Sequence, residues 1–133
     1  MDTGLIWGRL ITAMVTPFDE RGRIDEGATR TIIEHLLDTA TDSLVVCGTT
    51  GEAPTLSDTE KLRMFELARQ VAGARARIIA STGNYDTAHT IDLSRKAASL
   101  GADGLLLITP YYNRPSQEGM YRHFRAIAES VQL

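Results

Sequence analysis

The chain has 133 residues, of which 43% are hydrophobic and 23% are charged, and its formal net charge is -3. This length suits one domain with a sizeable core, and mild acidity without a basic stripe argues against a nucleic-acid partner. The apolar runs are far shorter than the roughly 18 residues that span a bilayer, and the N-terminus lacks the basic segment followed by an apolar one that is typical of a signal peptide. We therefore expect a cytoplasmic protein with no membrane partner.

Four short apolar runs predict strands. They do not alternate between apolar and polar residues, which is typical of parallel strands covered on both faces. The single cysteine, Cys47, lies in the second run, and we expect it to be a reduced, buried apolar residue. The predicted strands cover 10–15, 43–47, 77–81 and 104–109.

Amphipathic stretches of helical length separate these strands. The second stretch begins with Ser57 and Glu60 in the spacing of a capping box and ends at Gly73. We expect Trp7, ahead of the first strand, to cover the N-terminal end of the sheet. The predicted helices cover 25–40, 57–73 and about 86–100, and a fourth begins near Ser116.

The spacing of the strands favours a barrel. Strand starts are roughly 27 to 34 residues apart, close to the 31 or so of each unit in an eight-fold β/α barrel. The segments 37–46 and 98–107 resemble each other, and each places an aspartate, Asp42 or Asp103, before a strand. We expect Asp103 to shape the start of its strand. The alternative is a small four-stranded doubly wound domain, although no dinucleotide fingerprint or phosphate-binding loop is present.

The end of the second strand carries the sequence GTTGE, residues 48–52. Two glycines around two threonines allow successive N–H groups to point into one concavity, which suits a carboxylate. The alternative is a tight turn whose hydroxyls cap the next helix. We expect Glu52 to cap or to pair near this turn.

The end of the fourth strand carries the sequence TPYYNRP, residues 109–115. In extended backbone Tyr111 and Tyr112 point in opposite directions. A phenol, with a free pKa near 10, can carry a proton only if partners hold it. For Tyr111 the alternative is aromatic packing at a subunit interface. Arg114 could bind a carboxylate, and the alternative is a salt bridge at such an interface.

The segments VTPF, GTTGEAPTL and TPYYNRPSQEG, in this order and spacing, resemble the dihydrodipicolinate synthase family. The resemblance runs from Gly8 to Leu133 and covers about the first half of a family member. It implies an α/β fold of parallel β/α units, the first four of a (β/α)8 TIM barrel. Residues 1–133 would then be the N-terminal half of one barrel domain, whose remaining half is absent from this chain. The related N-acetylneuraminate lyases show a GSTGE-type turn and lack the YYNRP run.

The resemblance also implies a reaction. Family members condense pyruvate with aspartate semialdehyde through a Schiff base, use no metal or organic cofactor, and form homotetramers. Thr49 matches the threonine of a proton relay, and Tyr112 matches the relay tyrosine that reaches across the dimer interface. The N–H groups of Thr49 and Thr50 match those that hold the pyruvate carboxylate, and Tyr111 matches an aromatic residue at the interface.

Three family parts have no counterpart in the sequence: the Schiff-base lysine on strand six, and a second relay tyrosine and an arginine near strand five. Lys61 and Lys96 are predicted on solvated helix faces, where an amine stays protonated, so neither is expected to be catalytic. The chain alone is therefore expected to be inactive. The alternatives are a related pyruvate-dependent aldolase, of the N-acetylneuraminate or keto-deoxy sugar acid type, and a non-catalytic half-barrel that self-associates.

Some family members are inhibited by lysine in a polar cleft. In this chain the charge at the matching positions opposes an amino-acid cation, so we expect weak or absent lysine feedback. The histidines His35, His89 and His123 lack metal-ligand spacing and are expected at the surface or in caps. The positions matching the cleft are Ala53, Pro54, Asp58, Lys61, Tyr85 and His89.

Overall fold

The computed structural model describes residues 6–133 and consists of four consecutive β/α units. No helix in this part of the chain is both long enough and apolar enough to cross a membrane. The elements are β1 (Ile11–Ala13), α1 (Glu26–Asp38), β2 (Ser43–Val46), α2 (Asp58–Ala72), β3 (Arg77–Ser81), α3 (Thr87–Ser99), β4 (Gly104–Leu106) and α4 (Gln117–Ala128), with a short 3₁₀ helix, Ala53–Thr55, before α2.

The four strands form one parallel sheet in the order β1-β2-β3-β4. A doubly wound sheet reverses its strand order, with helices on both faces, whereas here the order follows the chain and the helices pack on one face. The doubly wound alternative is therefore wrong, and the predicted barrel units are confirmed. β1 and β4 are shorter than predicted because each is an edge strand, with a hydrogen-bonded neighbour on one side only.

Side-chain caps fix where the helices begin. Asp25, Ser57, Asp86 and Ser116 each accept a hydrogen bond from an N–H of the first turn, and Ser57 forms the full capping box with Glu60. These are the boundaries that the sequence predicts.

The core lies between the sheet and the helices. Leu44, Val46, Ile78 and Ala80 point from β2 and β3 toward the helices and are fully buried. Cys47, at the end of this layer, is also fully buried and unpaired, and burial raises the pKa of its thiol to about 12 while the nearby Lys61 ammonium acts in the opposite direction. The prediction of a reduced, apolar cysteine is confirmed.

The other face of the sheet, which we call the open face, is not covered by helices. Its apolar side chains Ile11, Val15, Leu106 and Ile108 are 44–46% exposed. At its N-terminal end the Trp7 ring packs on Gly104, where an added Cβ would lie 2.3 Å from the ring. The expected position of Trp7 is confirmed. The rest of the face is the surface that a closed barrel would bury.

Two aspartates tie the N-terminal ends of the strands together. The Leu10 N–H donates to Asp42 Oδ2 at 2.9 Å, and the Ile78 N–H donates to Asp103 Oδ2 at 2.8 Å. Asp103 also accepts from Arg69 and Arg77, both at 2.9 Å. The internal repeat in the sequence is thus a contact between neighbouring units that recurs two units later, and the expected role of Asp103 at the start of β4 is confirmed.

Loss of the Asp103 carboxylate is expected to destabilise the fold at neutral pH. Burial opposes its ionisation, but the Ile78 N–H and the Arg77 and Arg69 guanidiniums outweigh burial and hold its pKa below the ordinary 3.8. Asp103→Ala should lower the free energy of unfolding by about 3 kcal/mol, measured by urea denaturation at pH 7.

Because the pKa of Asp103 is lower in the folded state, its stabilisation is present above the unfolded pKa and is lost as pH falls through the folded pKa. The difference between the wild type and Asp103→Ala should therefore shrink at about pH 3. Asp92→Ala, which breaks the exposed pair with Lys96, is the matched control and should cost under about 1 kcal/mol. Equal losses for the two variants would contradict the assignment.

The structure corrects one prediction about the histidines. His123 is 4% exposed, not at the surface, and its Nδ1 lies 2.9 Å from Thr87 Oγ1 between α4 and α3. Burial lowers the pKa of His123, so its ring is neutral at pH 7. Its place one turn before the buried Ile127 is the periodicity that could have predicted this. His35 is exposed as expected, and residues 6–133 contain no cluster of metal-ligating side chains.

Candidate functional site

The loops that follow β2, β3 and β4 surround a cavity of about 480 Å³ at the C-terminal edge of the sheet. In barrels of this kind chemistry takes place at that edge. The lining includes a threonine, three ionisable side chains and two tyrosines: Thr49, Asp58, Lys61, His89, Tyr85 and Tyr111.

The turn after β2 is fixed by its own backbone and by β1. Cys47 and Glu52, at its two ends, both have left-handed backbone, with φ of +56° and +57°. The Thr16 hydroxyl donates to the Gly51 carbonyl at 2.7 Å. An added Cβ at Gly51 would lie 3.1 Å from Thr16 Oγ1 and 3.2 Å from Cys47 Cα, so a side chain there would force the turn away from β1.

Within the described residues, no hydrogen bond uses the N–H groups of residues 48–51 of this turn. The Glu52 N–H donates to the Thr49 carbonyl at 3.1 Å, and the Ala53 N–H donates to the Gly48 carbonyl at 3.2 Å. The N–H groups of Thr49 and Thr50 have no acceptor within residues 6–133, and both residues are exposed. Among the free donors of the turn, Thr49 and Thr50 are therefore the two successive residues that are exposed at the sheet edge.

The expectation for Glu52 is wrong. Its side chain is exposed and provides no cap to the following helix. Its backbone carbonyl instead accepts hydrogen bonds from the Thr55 N–H and from the Thr55 hydroxyl, both at 2.9 Å.

The two tyrosines after β4 have different surroundings. Tyr111 lines the cavity, with its ring 5.1 Å from Tyr85 in an edge-to-face arrangement. Tyr112 is 97% exposed and lies outside the cavity. The Asn113 N–H donates to the Tyr111 carbonyl at 2.9 Å across Tyr112, whose φ is +70°. This is a strained γ-turn, a rare conformation for a bulky residue, and it holds the Tyr112 ring away from its own chain.

The two lysines differ in burial, and the prediction that Lys61 lies on a solvated helix face is wrong. Lys96 is exposed as expected, and its Nζ lies 2.6 Å from Asp92, which raises its pKa. Lys61 is only 8% exposed and lines the cavity. Three and four positions before the buried Met64 and Phe65, Lys61 lies on the apolar stripe of α2, a periodicity visible in the sequence.

A histidine–carboxylate pair forms another part of the lining. His89 Nε2 lies 2.7 Å from Asp58 Oδ2, and both side chains are partly exposed. The structure thus brings Thr49, Tyr111, Asp58, His89 and Lys61 together around one cavity. Thr50 is adjacent to Thr49 but does not line the cavity, and Tyr112 points into solvent. Arg114 is exposed and forms no ion pair within the described residues.

Comparison with known proteins identifies close relatives. The model of the dihydrodipicolinate synthetase family matches residues 7–133. The 4-hydroxy-tetrahydrodipicolinate synthase of Moorella thermoacetica is 53% identical over 127 residues, which are 96% of this chain and 44% of that protein. The chain therefore spans less than half the length of this relative.

Comparison with solved structures identifies the same family. A dihydrodipicolinate synthase from Bacillus anthracis is 49% identical with a TM-score of 0.93, covering 96% of this chain and 44% of that one. A chloride-inhibited dihydrodipicolinate synthase from Acinetobacter baumannii, complexed with pyruvate, is 45% identical with a TM-score of 0.91, covering 93% of this chain and 43% of that one. These neighbours are TIM barrels, which confirms the four units as part of such a barrel.

Proposed function

Because the chain belongs to the dihydrodipicolinate synthetase family, we propose that it forms the first half of an enzyme that condenses pyruvate with aspartate semialdehyde through a Schiff base. This half provides the amides that hold the pyruvate carboxylate and two members of a proton relay, Thr49 and Tyr112. The observation that carries the proposal is the pair of free amides of Thr49, which lines the cavity, and of Thr50 next to it.

The free amides suit a carboxylate for a physical reason. Two fixed N–H donors beside a partly enclosed cavity bind an anion without reorganisation, and a charged acceptor makes each hydrogen bond stronger than a neutral one does. The Acinetobacter baumannii relative crystallised with pyruvate supports pyruvate as that anion.

The nucleophile comes from the remaining barrel units. Lys96 is paired with Asp92 and protonated, and Lys61 lies on a helix outside the barrel interior. A Schiff-base amine must reach the carbonyl of a substrate whose carboxylate the Thr49 and Thr50 amides hold. We propose that a lysine of the complementary half does this.

Tyr112 acts in a second subunit. A large aromatic side chain that is 97% exposed and held by strained backbone is explained if the ring enters a neighbouring site. The relay then consists of Thr49 of one subunit and Tyr112 of another, which requires a homo-oligomer. GTTGE and YYNRP favour the synthase over the related aldolases.

The test is a fusion enzyme in which residues 7–133 of this chain replace the matched part of the Moorella thermoacetica relative. We expect it to condense pyruvate with aspartate semialdehyde at a rate within about tenfold of that relative. A folded fusion that is inactive toward aspartate semialdehyde but cleaves N-acetylneuraminate or a keto-deoxy sugar acid would replace the proposal with one of the alternatives.

One observation favours a second candidate function, a self-associating half-barrel without activity. The open face exposes apolar side chains, and β1 and β4 are unpaired sheet edges within the described residues. Such surfaces favour association.

We expect the 133-residue chain to be a dimer or larger species in size-exclusion chromatography with light scattering. Leu106→Glu, on the open face, should shift it toward monomer, because a carboxylate is costly to bury there. Tyr121→Glu, exposed on α4, is the control and should leave the oligomer unchanged. A monomeric wild-type chain at about 100 µM would rule out association through this face.

A further inference from the structure

Thr16, in the segment that follows β1, has a buried side chain in a fixed position. It is 5% exposed, and its hydroxyl donates to the Gly51 carbonyl in the turn after β2 at 2.7 Å. Pro17 follows it, and the residue before a proline is restricted to extended backbone. The Pro17 carbonyl accepts from the N–H of Asp25, the N-cap of α1, at 2.9 Å. The Thr16 hydroxyl is therefore held beside the turn by its own neighbours in the chain.

The hydrogen bond from Thr16 is the first of a chain that ends at a free amide. The Gly51 carbonyl belongs to the same peptide group as the Glu52 N–H, which donates to the Thr49 carbonyl at 3.1 Å. The Thr49 carbonyl belongs to the same peptide group as the Thr50 N–H, which has no acceptor within residues 6–133. The chain thus runs from the Thr16 hydroxyl through two peptide groups to the Thr50 N–H.

Such a chain strengthens its last donor. A peptide group whose carbonyl accepts a hydrogen bond is polarised and donates more strongly at its N–H, because linked hydrogen bonds reinforce one another. The Thr49 N–H belongs to a separate branch, since the Gly48 carbonyl of its peptide group accepts from the Ala53 N–H at 3.2 Å. Loss of the Thr16 hydroxyl should therefore weaken the Thr50 amide as a donor and leave the Thr49 amide unchanged.

We propose that Thr16 is a positioning residue for the pyruvate carboxylate, which orients and polarises the Thr50 N–H through the Gly51 carbonyl. This role rests on the proposed function, in which the amides of Thr49 and Thr50 hold that carboxylate. Thr16 does not line the cavity, so it acts without touching the substrate. The carboxylate is held alike in the bound substrate and in the transition state, so loss of this role raises KM and leaves kcat unchanged.

Three variants of the fusion enzyme test this role by steady-state kinetics. Thr16→Ala removes the hydroxyl without crowding the Gly51 carbonyl, and should raise KM for pyruvate about fivefold while kcat changes less than about twofold. Thr16→Ser keeps a hydroxyl and should restore KM to within about twofold of the wild type. Thr41→Ala is the matched control: Thr41 is also 5% exposed, and its hydroxyl lies 2.9 Å from that of Thr12 at the opposite end of the sheet. It should lose stability with no change in KM.

Calorimetric titration with pyruvate tests the same role without turnover. The affinity of Thr16→Ala should be weaker than that of Thr16→Ser, whether or not the fusion enzyme condenses aspartate semialdehyde. A fusion that binds pyruvate but does not turn over aspartate semialdehyde therefore contradicts the proposed function alone, and one that binds no pyruvate contradicts both.

The role of Thr16 is overturned if Thr16→Ala binds pyruvate as tightly as the wild type, or if kcat falls while KM stays the same. It is also overturned if Thr41→Ala raises KM equally, because the effect would then be a general loss of stability, or if Thr16→Ser is impaired as much as Thr16→Ala. Should Thr16→Ala not fold, Thr16→Cys replaces it with the same expected rise in KM, because a thiol is a weak donor.

Discussion

Thr49→Val is expected to lower kcat of the fusion enzyme by about 10²-fold, the effect of removing one group that transfers a proton in the transition state. Valine has the shape of threonine without its hydroxyl, so the backbone of the turn and its free amides are kept. The turn is held by Thr16, Gly51 and the Ala53 N–H, none of which uses the Thr49 side chain. KM for pyruvate should therefore change little while kcat falls, in steady-state kinetics.

Two matched variants test whether the loss of activity comes from the Thr49 hydroxyl. Thr50→Val keeps the same backbone but changes a side chain that does not line the cavity, and should cost less than about tenfold. Thr49→Ser retains a hydroxyl and should recover most of the activity. Equal losses for Thr49→Val and Thr50→Val, or a rise in KM alone, would show that the Thr49 hydroxyl binds substrate or supports the turn rather than carrying a proton.

Tyr112→Phe is expected to lower kcat of the fusion enzyme by a similar factor, about 10²-fold, because it removes only the phenol oxygen. The ring is exposed in its own chain, so the stability of the subunit should not change. Tyr121→Phe, on the exposed surface of α4, is the control and should retain full activity.

Mixed oligomers test whether Tyr112 acts across the interface. When Thr49→Val and Tyr112→Phe subunits are dissociated, mixed and reassociated, one type of site combines a native Thr49 with a native Tyr112 from the neighbouring subunit. We expect activity to reappear in the mixture, although each variant alone is nearly inactive. No recovery in oligomers shown by mass spectrometry to be mixed would mean that Tyr112 acts within its own chain.

The sequence predicted the architecture well because the local signals agree with the fold. The caps at Ser57 and Ser116 depend only on neighbours in the chain, and the continuous apolar runs of β2 and β3 are the two central strands of the sheet. Strand length at β1 and β4 was overestimated, since an apolar run does not reveal that it ends at an unpaired sheet edge.

The predictions that the structure contradicts most clearly concern the burial of charged and polar side chains. The sequence predicts Lys61 on a solvated helix face and His123 at the surface or in a cap, yet both are buried on the apolar stripe of their helix. Helical periodicity contained that information. The side-chain environment of Tyr112 could not have been predicted, because the γ-turn at φ +70° is set by the path of the loop after β4.

We propose that this chain provides the amides for the pyruvate carboxylate and the relay threonine, and that the complementary half provides the Schiff-base amine. Incubation with pyruvate and borohydride, followed by intact-mass analysis and peptide mapping, tests it most directly, because borohydride reduces a Schiff base irreversibly. We predict no adduct on the 133-residue chain, and in the fusion enzyme one adduct on a lysine of the Moorella thermoacetica portion. An adduct on Lys61 or Lys96 would contradict the account and place the nucleophile in this half.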